Sequence, residues 1–312
     1  MSEPGAPREA ARSLLERLGR WNLKRLGARS RTEVVVVAGG PGHGGAEGAP
    51  IATALHSFVF DRHPDAPPTA PPLVLMHGVG SSATTFAKLL KRLRPHVGPV
   101  YLPEAPAHGE SETPAAPLTP EVLFRIVRQW LDTVPEAPFV LYGNSLGGAA
   151  AIRYAIERPD RVAALLLLSP AGAHGEDGEL EALVSTFDLK SGSDARRFMG
   201  RLFERPRWYH AVAGNELRRR FALKPLREFF AKAGAEDLLD ADRVAGLPMP
   251  VLLMWGGAEK LLPDSHRRWF KAHLPRTASL SEPPHFAHSA YIEHADEVAA
   301  MVLAFLRERG VA

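Results

Sequence analysis

A single serine stands between glycines where strand-forming residues give way to an alanine-rich segment. The stretch is "FVLYGNSLGGAAAIRYA", in which Ser145 lies between Gly143 and Gly147. A serine hydroxyl needs a base to take its proton, and attack on a carbonyl also needs N–H donors for the oxyanion. A sharp strand-to-helix turn would expose the hydroxyl, and glycines would let the backbones approach closely. The pattern predicts a nucleophilic Ser145, with a serine that is only a helix N-cap as the alternative.

The elements around this turn follow a regular alternation. Uniformly apolar segments such as "LVLMHG", "FVLYG", "VAALLLLSPAG" and "PVLLMWGG" are separated by helical segments such as "TPEVLFRIVRQWLDTV". Fully apolar strands that alternate with helices are typical of a parallel sheet covered on both faces. We therefore expect an α/β fold with a mostly parallel, doubly wound sheet, built from residues 32–170 and 248–312.

The alternation stops between residues 171 and 247, where the composition is helical. An insertion of this size between two sheet strands would lie over the active crevice as a cap. It contains a group of large apolar residues, which we expect mainly to form the core of the cap and alternatively to line an acyl pocket: Phe198, Leu202, Phe203, Trp208 and Tyr209. The basic run "ELRRRFALKPLRE" is expected to be a solvated helix face.

Residues 1–31 form an N-terminal extension, and the pattern of its residues predicts an amphipathic helix. One broad face would carry Leu14, Leu15, Leu18, Trp21 and Leu26, with arginines and a lysine around the rest. We expect this helix to pack on the protein; the alternative is an anchor at a lipid surface, which basic residues with tryptophan and leucine suit. The extension lacks the apolar core of a secretory signal, so we expect a cytoplasmic protein, membrane-associated in the alternative.

Composition excludes several classes of function. The 312 residues carry a formal net charge of +3 and no cysteine. Disulfides, thiolate metal sites and a cysteine nucleophile are excluded, and so balanced a charge gives no reason to expect a nucleic-acid partner. No segment approaches the roughly 18 apolar residues of a membrane span. The loop "GGPGHGGAEGAP" lacks the lysine and Ser/Thr of a phosphate loop and predicts a flexible hairpin connection.

Three motifs together resemble the α/β-hydrolase superfamily, in particular its capped esterases and lipases, over about residues 51–312. They are "LVLMHGVGSS", "YLPEAPAHGES" and "GNSLGG". The resemblance implies an oxyanion hole made by the backbone N–H groups of Val79 and Leu146, in a loop shaped by His77 and Gly78. The second motif departs from the family pattern, because Glu104 and Ala107 replace its usual aspartate and glycine.

The resemblance also implies an acid and a base. "WGGAEKLLP" places Glu259 where the family usually has aspartate, and glutamate can still orient an imidazole. The late segment "PPHFAHSAYIEHADEV" contains three histidines. Its spacing from the following helix implies His288 as the base, with His285 as the alternative and His294 on the surface. His285 and His288 lack the further ligand spacing of a metal site.

The sequence therefore predicts a serine hydrolase of carboxylic esters that uses Ser145, His288 and Glu259. The expected substrate is a small-molecule or lipid ester, and the reaction needs no cofactor and no metal. Two alternatives remain: a carbon–carbon bond hydrolase of the same fold, and a non-catalytic binding protein on a hydrolase scaffold. Carbon–carbon bond hydrolases have a similar elbow, but their oxyanion loop typically carries Gly-Pro-Gly and a nearby asparagine, and "HGVGSSATTF" has neither, which favours the ester hydrolase.

Overall fold

The computed structural model describes residues 14–39, 49–205, 207 and 210–311. Within these residues eight strands form one sheet: β1 (Arg29–Val37), β2 (Ile51–Phe60), β3 (Leu73–Met76), β4 (Val100–Pro103), β5 (Phe139–Ser145), β6 (Val162–Pro170), β7 (Val251–Met254) and β8 (Ser279–Ser281). Their order is β1-β2-β4-β3-β5-β6-β7-β8. Strand β2 is antiparallel to β1 and β4, and the pairs from β4 to β8 are parallel. The mostly parallel sheet expected from the sequence is confirmed.

Helices cover both faces of the sheet. Those within the described ranges are α1 (Leu14–Arg25), α2 (Ala87–Leu93), α3 (Pro120–Asp132), α4 (Leu146–Glu157), α5 (Glu179–Ser185), α6 (Gly192–Leu202), α7 (His210–Phe221), α8 (Lys224–Lys232), α9 (Ala241–Ala245), α10 (Asp264–His273), α11 (Ala290–Glu293) and α12 (Ala295–Glu308). The side chain of Thr119 accepts a hydrogen bond from the Val122 N–H and caps α3, as its position before a helical segment predicts.

The central strands are apolar throughout because each buries both of its faces. Leu165 and Leu167 of β6 pack with α3 and α4, whereas Leu166 and Leu168 pack with α2 and α12. Successive side chains of a strand point to opposite faces, so a strand between two helical layers has no solvent side. This explains the uninterrupted run "ALLLL" in β6.

Helices α5 to α9 lie between β6 and β7, in the stretch where the sequence predicts a cap. Phe187, Phe198, Phe221 and Phe230 form an aromatic cluster there, with Phe187 stacked on Phe230 at a ring-centroid distance of 4.5 Å. Trp208 and Tyr209 lie outside the described residues.

The N-terminal helix α1 packs on the protein through its charged face. Glu16, Arg20 and Leu23 are buried, while the side chains of Leu14 and Trp21 are exposed. Among the described helices, none has the length and apolar character needed to cross a membrane. Strands β1 and β2 pair from Val37 and Ile51 onward, so the glycine-rich stretch connects a hairpin as predicted; its residues 40–48 lie outside the described ranges.

Candidate active site

Ser145 is the last residue of β5, and α4 begins at the next residue. Its backbone φ is +56°, a region that non-glycine residues seldom adopt and that marks strain at functional sites. The neighbouring glycines are sterically required. A Cβ on Gly143 would lie 2.4 Å from the Gly147 carbonyl oxygen, and a Cβ on Gly147 would lie 2.4 Å from the Met76 oxygen. The chain can therefore make this turn only with glycine at both positions.

Glu259 and His288 are joined by a hydrogen bond in the protein interior. The Nδ1 of His288 lies 2.9 Å from Oε2 of Glu259, and both side chains are almost fully buried. A carboxylate only accepts hydrogen bonds, so Nδ1 carries the proton and Nε2 is left as an acceptor. Oε1 of Glu259 accepts the backbone N–H groups of Leu261 and Leu262 at 2.8 and 3.1 Å. An imidazole oriented in this way can take a proton at Nε2 and be stabilised as a cation.

The electrostatics of this pair favour an ionised glutamate. Burial acts to raise the pKa of Glu259, but the charge and hydrogen bond of His288, with the Leu261 N–H, outweigh burial and hold that pKa below its ordinary value. The acid therefore stays a carboxylate at neutral pH, which is the form that can orient an imidazole.

Asn144 ties the histidine loop to the nucleophile turn. Its Nδ2 donates to the backbone oxygens of Leu168 at 3.0 Å and His288 at 3.1 Å. Ser145 and His288 line the same cavity. The structure thus brings Ser145, Glu259 and His288 from three separate loops to one edge of the sheet.

The two predicted oxyanion donors flank the serine. Leu146 is the first residue of α4, and the first N–H groups of a helix have no intrahelical acceptor. Val79 lines both cavities that contain Ser145. The residue before it, Gly78, packs directly on the nucleophile, since an added Cβ there would lie 3.1 Å from Ser145 Cβ.

Two buried histidines hold the loop that carries Val79. His77 Nδ1 donates to the Gly78 oxygen at 2.8 Å, and its Nε2 accepts from the Ala105 N–H at 3.1 Å. His108 Nδ1 donates to the Pro106 oxygen at 2.9 Å, and its Nε2 accepts from the Gly80 N–H at 2.9 Å. Burial, and for His108 the neighbouring His77, lower the pKa of both rings, to about 3 for His108. Both rings are neutral at physiological pH, so each can donate at one nitrogen and accept at the other.

Two apolar cavities meet at the serine. The larger, of about 340 Å³, runs between α1, α6 and α7 and is lined by His288 as well as Ser145. The smaller, of about 140 Å³, lies beneath α5 and α8 and is lined by Ser145, Leu146 and Leu262. Phe198, Leu202 and Phe203, expected mainly as cap core, also line the larger cavity. A substrate held at Ser145 therefore has room for an apolar group on each side.

Residues 73–301, more than half of the chain, match the model of the alpha/beta hydrolase family. The chain belongs to that family. A 2-hydroxy-6-oxo-6-phenylhexa-2,4-dienoate hydrolase of Burkholderia cepacia is 26% identical to this hydrolase over 256 residues, covering 75% of this chain and 87% of the relative. A pimeloyl-[acyl-carrier protein] methyl ester esterase of Aromatoleum aromaticum is 29% identical over 253 residues, covering 74% and 96%.

Solved structures share the fold of this alpha/beta hydrolase over nearly its whole length. The crystal structure of a bacterial membrane phospholipase A superposes with a TM-score of 0.76 at 19% identity, covering 96% of this chain and 92% of the other. The relatives include a dienoate hydrolase and an ester esterase. Together with the family match they support a hydrolase enzyme.

One support of the oxyanion loop in this hydrolase was not predicted. Arg220 of α7 donates to the Gly80 oxygen at 3.1 Å and pairs with Glu16 at 3.0 Å and Glu216 at 2.7 Å. Gly80 is thus held at its N–H by His108 and at its oxygen by Arg220. The run "ELRRR" was expected to be a solvated face, and this is wrong for Arg220, which is largely buried; Arg219 is exposed as expected.

A second unpredicted group lies beneath the same loop. The Glu104 carboxylate is fully buried and accepts from Arg20 at 2.8 and 2.9 Å, from His56 Nδ1 at 2.9 Å and from the Glu110 N–H at 2.8 Å. Burial acts to raise the pKa of Glu104, but the His56 hydrogen bond and the Arg20 charge outweigh burial and lower it to about 2. In the sequence, the glutamate at position 104, where the family usually has aspartate, marked this position as unusual. It did not identify Arg20 as the partner of Glu104.

The competing histidines lie away from Ser145 and are partly buried. His285 Nε2 is 2.8 Å from Glu297, and the His294 ring meets the His285 ring edge to face, with 4.7 Å between the ring centroids. Within the described residues, His285, His294 and Glu297 are the group that brings three possible metal-ligand atoms within 4.8 Å of one another. None of these three lines either cavity at Ser145 in the described part of the chain. The structure therefore separates His285 from Glu259 and from the nucleophile.

Proposed function

We propose that this hydrolase cleaves carboxylic esters, with Ser145 as nucleophile, His288 as base and Glu259 as the orienting acid. The observation that carries the proposal is the buried 2.9 Å contact between His288 and Glu259, with His288 and Ser145 on the wall of one cavity. Ser145 Oγ attacks the ester carbonyl as its proton passes to His288 Nε2. The N–H groups of Val79 and Leu146 stabilise the oxyanion.

The remaining steps return the enzyme to its starting state. The tetrahedral intermediate collapses, the C–O bond to the alcohol breaks, and His288 gives the proton to the leaving oxygen. Water then attacks the acyl-enzyme with His288 again as base, and release of the carboxylic acid restores the Ser145 hydroxyl. The chain's own side chains supply each proton transfer.

The two cavities support a particular orientation of the substrate. The leaving alcohol must receive its proton from His288, so it lies on the side of the nucleophile where His288 is. His288 lines the larger cavity and is absent from the described lining of the smaller one. We therefore assign the alcohol to the cavity of about 340 Å³ and the acyl group to the cavity of about 140 Å³.

Matched isomers test this assignment. Decyl butyrate and butyl decanoate contain the same atoms and differ only in which side of the carboxyl group is long. The enzyme should have the higher kcat/KM for decyl butyrate. A preference for butyl decanoate would assign the acyl group to the larger cavity and the alcohol to the smaller one, and it would leave the assignment of Ser145 as nucleophile unchanged.

Carbon–carbon bond hydrolysis is the second candidate, because a relative is a dienoate hydrolase. A dienoate carries a carboxylate, which needs a cation in the substrate cavity. Among the described residues lining the smaller cavity, Arg153 is the sole lysine or arginine, and it is already paired with Glu121. In the larger cavity the sole described lysine or arginine is Arg220, already paired with Glu16 and Glu216. A bound carboxylate there would also face two glutamates. The charges therefore favour an uncharged ester.

Pre-steady-state hydrolysis of a short nitrophenyl ester tests the proposal. An acyl-enzyme mechanism gives a burst of nitrophenol equal to the concentration of active sites. A Ser145→Ala variant should give no burst and should lose turnover by about three orders of magnitude or more. A binding protein on this scaffold would release no nitrophenol, and unchanged turnover in a folded Ser145→Ala variant would contradict the role of Ser145.

A further inference from the structure

Helix α1 turns a stripe of large apolar side chains to the outside of the protein. The exposed fractions are 69% for Leu14, 43% for Leu15, 52% for Leu18 and 58% for Trp21. These residues are spaced one, four and seven positions apart, so they share one face of the helix. Single exposed leucines are common on protein surfaces, whereas a contiguous apolar patch marks an interaction site.

The opposite face of α1 fixes the orientation of this stripe. Arg20 is 6% exposed and pairs with the buried Glu104 at 2.8 Å, and Glu16 pairs with Arg220. Leu23 is fully buried. Rolling the helix to bury the leucines would take the Arg20 cation away from the buried, ionised Glu104, which is strongly unfavourable. The apolar stripe is therefore held outward.

The charges around the stripe favour an anionic surface. Arg17, Lys24 and Arg25 are exposed, and the Arg25 guanidinium lies 5.4 Å from the Trp21 ring centre. Glu16 is the sole acidic residue of α1, and its side chain points inward. A second copy of the chain seated on this face through a twofold axis would bring like charges together. Anionic lipid headgroups would pair with the cations while the acyl region took up leucine and tryptophan.

The stripe adjoins the opening of the catalytic cavity. Leu15 and Gly19 of α1 line the larger cavity, opposite Ala213 and Leu217 of α7, and the same cavity reaches Ser145 and His288. Leu15 is thus both part of the exposed stripe and part of the cavity wall. The cavity therefore connects Leu15, at the edge of the stripe, with Ser145.

We propose that α1 docks on an anionic lipid surface, with Leu14, Leu18 and Trp21 in the interface, and that a lipid ester passes along Leu15 into the larger cavity. The passage of substrate rests on the ester hydrolysis proposed above, whereas docking does not. The binding partner of α1 is thus a membrane surface, and the ester substrate comes from the same surface.

Vesicle binding by the full chain tests the docking. The protein is mixed with vesicles of phosphatidylcholine alone, or of phosphatidylcholine with phosphatidylglycerol, and the bound fraction is measured by flotation. The wild type should bind the anionic vesicles, more weakly at high salt. The Leu18→Glu/Trp21→Glu variant should lose binding by about tenfold or more, because it replaces apolar contacts with repelled charges. The matched control is Val34→Glu/Val36→Glu, which charges two valines of β1 that are 70% and 53% exposed and should bind as the wild type does.

Hydrolysis by the same variants distinguishes the delivery of substrate from the chemistry. On a soluble short-chain nitrophenyl ester, both double variants should match the wild type, which also shows that they are folded. On a long-chain ester dispersed in anionic vesicles, Leu18→Glu/Trp21→Glu should lose activity and the β1 control should keep it. Ser145→Ala should bind vesicles normally and hydrolyse neither ester. The binding measurement therefore tests the docking even if the proposed chemistry is wrong.

Three outcomes would overturn the docking proposal. The wild type could fail to bind anionic vesicles. The β1 control could lose binding as much as the α1 variant, which would indicate a general effect of added negative charge. The wild type could be a dimer by light scattering that Leu18→Glu/Trp21→Glu converts to a monomer without an effect on vesicle binding, which would assign the stripe to a second copy of the chain.

Discussion

On one side of Ser145, the proposed base His288 and the proposed acid Glu259 are joined by one hydrogen bond of 2.9 Å between two loops that follow neighbouring strands. On the other side, the loop that carries Val79 is held by side chains from three distant segments: Arg220 of α7 at Gly80, Glu16 of α1 at Ser82, and His108 of the loop after β4 at Gly80. Arg20 of α1 pairs with Glu104, at the start of that last loop. The sheet itself delivers His288 and Glu259 to the nucleophile, because parallel strands end at one edge. The loop that carries Val79 starts at the same edge, after β3, but buried polar and charged side chains also hold it, so the two sides should fail differently.

The largest effect is expected on the base side. His288→Ala removes the only base that contacts Glu259 in the described residues and should lower kcat by about three orders of magnitude or more, as severely as Ser145→Ala. The matched control is His285→Ala, three residues away, which should keep most activity. Steady-state kinetics on a soluble nitrophenyl ester measures both. The reverse ranking, with both variants folded, would exchange the roles of the two histidines.

On the oxyanion side, removal of a buried charge should act first on stability. Arg20→Met leaves Glu104 buried without its cation, which costs about 3–5 kcal/mol in the free energy of unfolding. Arg17→Met changes an exposed arginine of the same helix and should cost almost nothing. Urea unfolding compares them. If Arg20→Met is too unstable to purify, Arg20→Met/Glu104→Gln removes both charges and should recover much of the loss; equal stability of Arg17→Met and Arg20→Met would contradict a structural role for the pair.

The free energy of unfolding at acid pH should depend on the ionisation of Glu104. The pKa of Glu104 is about 2 in the folded protein, well below its value of about 4.3 in an unfolded chain. A depressed pKa stabilises the folded state above the unfolded value, and this contribution is lost as pH falls from about 4.3 toward 2. The free energy of unfolding should drop over that range, and Glu104→Gln should make the drop shallower. Glu259, whose pKa is also lowered, accounts for part of the remaining slope. An identical slope in Glu104→Gln would place the titration elsewhere.

A smaller effect is expected from the cap contact to Gly80. Arg220→Met removes the donor to the Gly80 oxygen and frees the loop that carries Val79. We expect kcat to fall about tenfold to a hundredfold with KM little changed, because the loss falls on the oxyanion rather than on ground-state binding. Arg219→Met, on the exposed face of α7, is the control. A rise in KM with unchanged kcat would show that Arg220 binds substrate instead of positioning the loop.

The smallest effect concerns the loop after β4. Ala107 has a φ of +63°, at the position where the family motif usually has glycine. Ala107→Gly should relieve left-handed strain of about 1 kcal/mol, offset in part by the greater freedom of glycine in the unfolded chain. Thermal unfolding should show a slight gain in stability and no change in kcat. A clear loss of stability would show that the Ala107 methyl packs usefully.

The sequence by itself predicted the sheet, which the structure confirms, and proposed a cap and the candidate nucleophile, acid and base. Uniformly apolar segments specify strands buried on both faces, and the turn around Ser145 admits only glycine at positions 143 and 147, so both signals are local and readable in "FVLYGNSLGG". Glu259 and His288 were assigned through the resemblance of their segments to the family's motifs, and their catalytic roles stay a prediction.

Only the tertiary structure decided how the oxyanion side is supported and which face of α1 is buried. Helical spacing predicts that Leu14, Leu18 and Trp21 share a face, but it does not say whether that face turns inward. The answer depends on Glu104, a residue 84 positions from Arg20, whose buried carboxylate requires a cation. Such a pairing leaves no periodic trace in the sequence, because its two partners meet through the packing of separate elements and not through the pattern of either one.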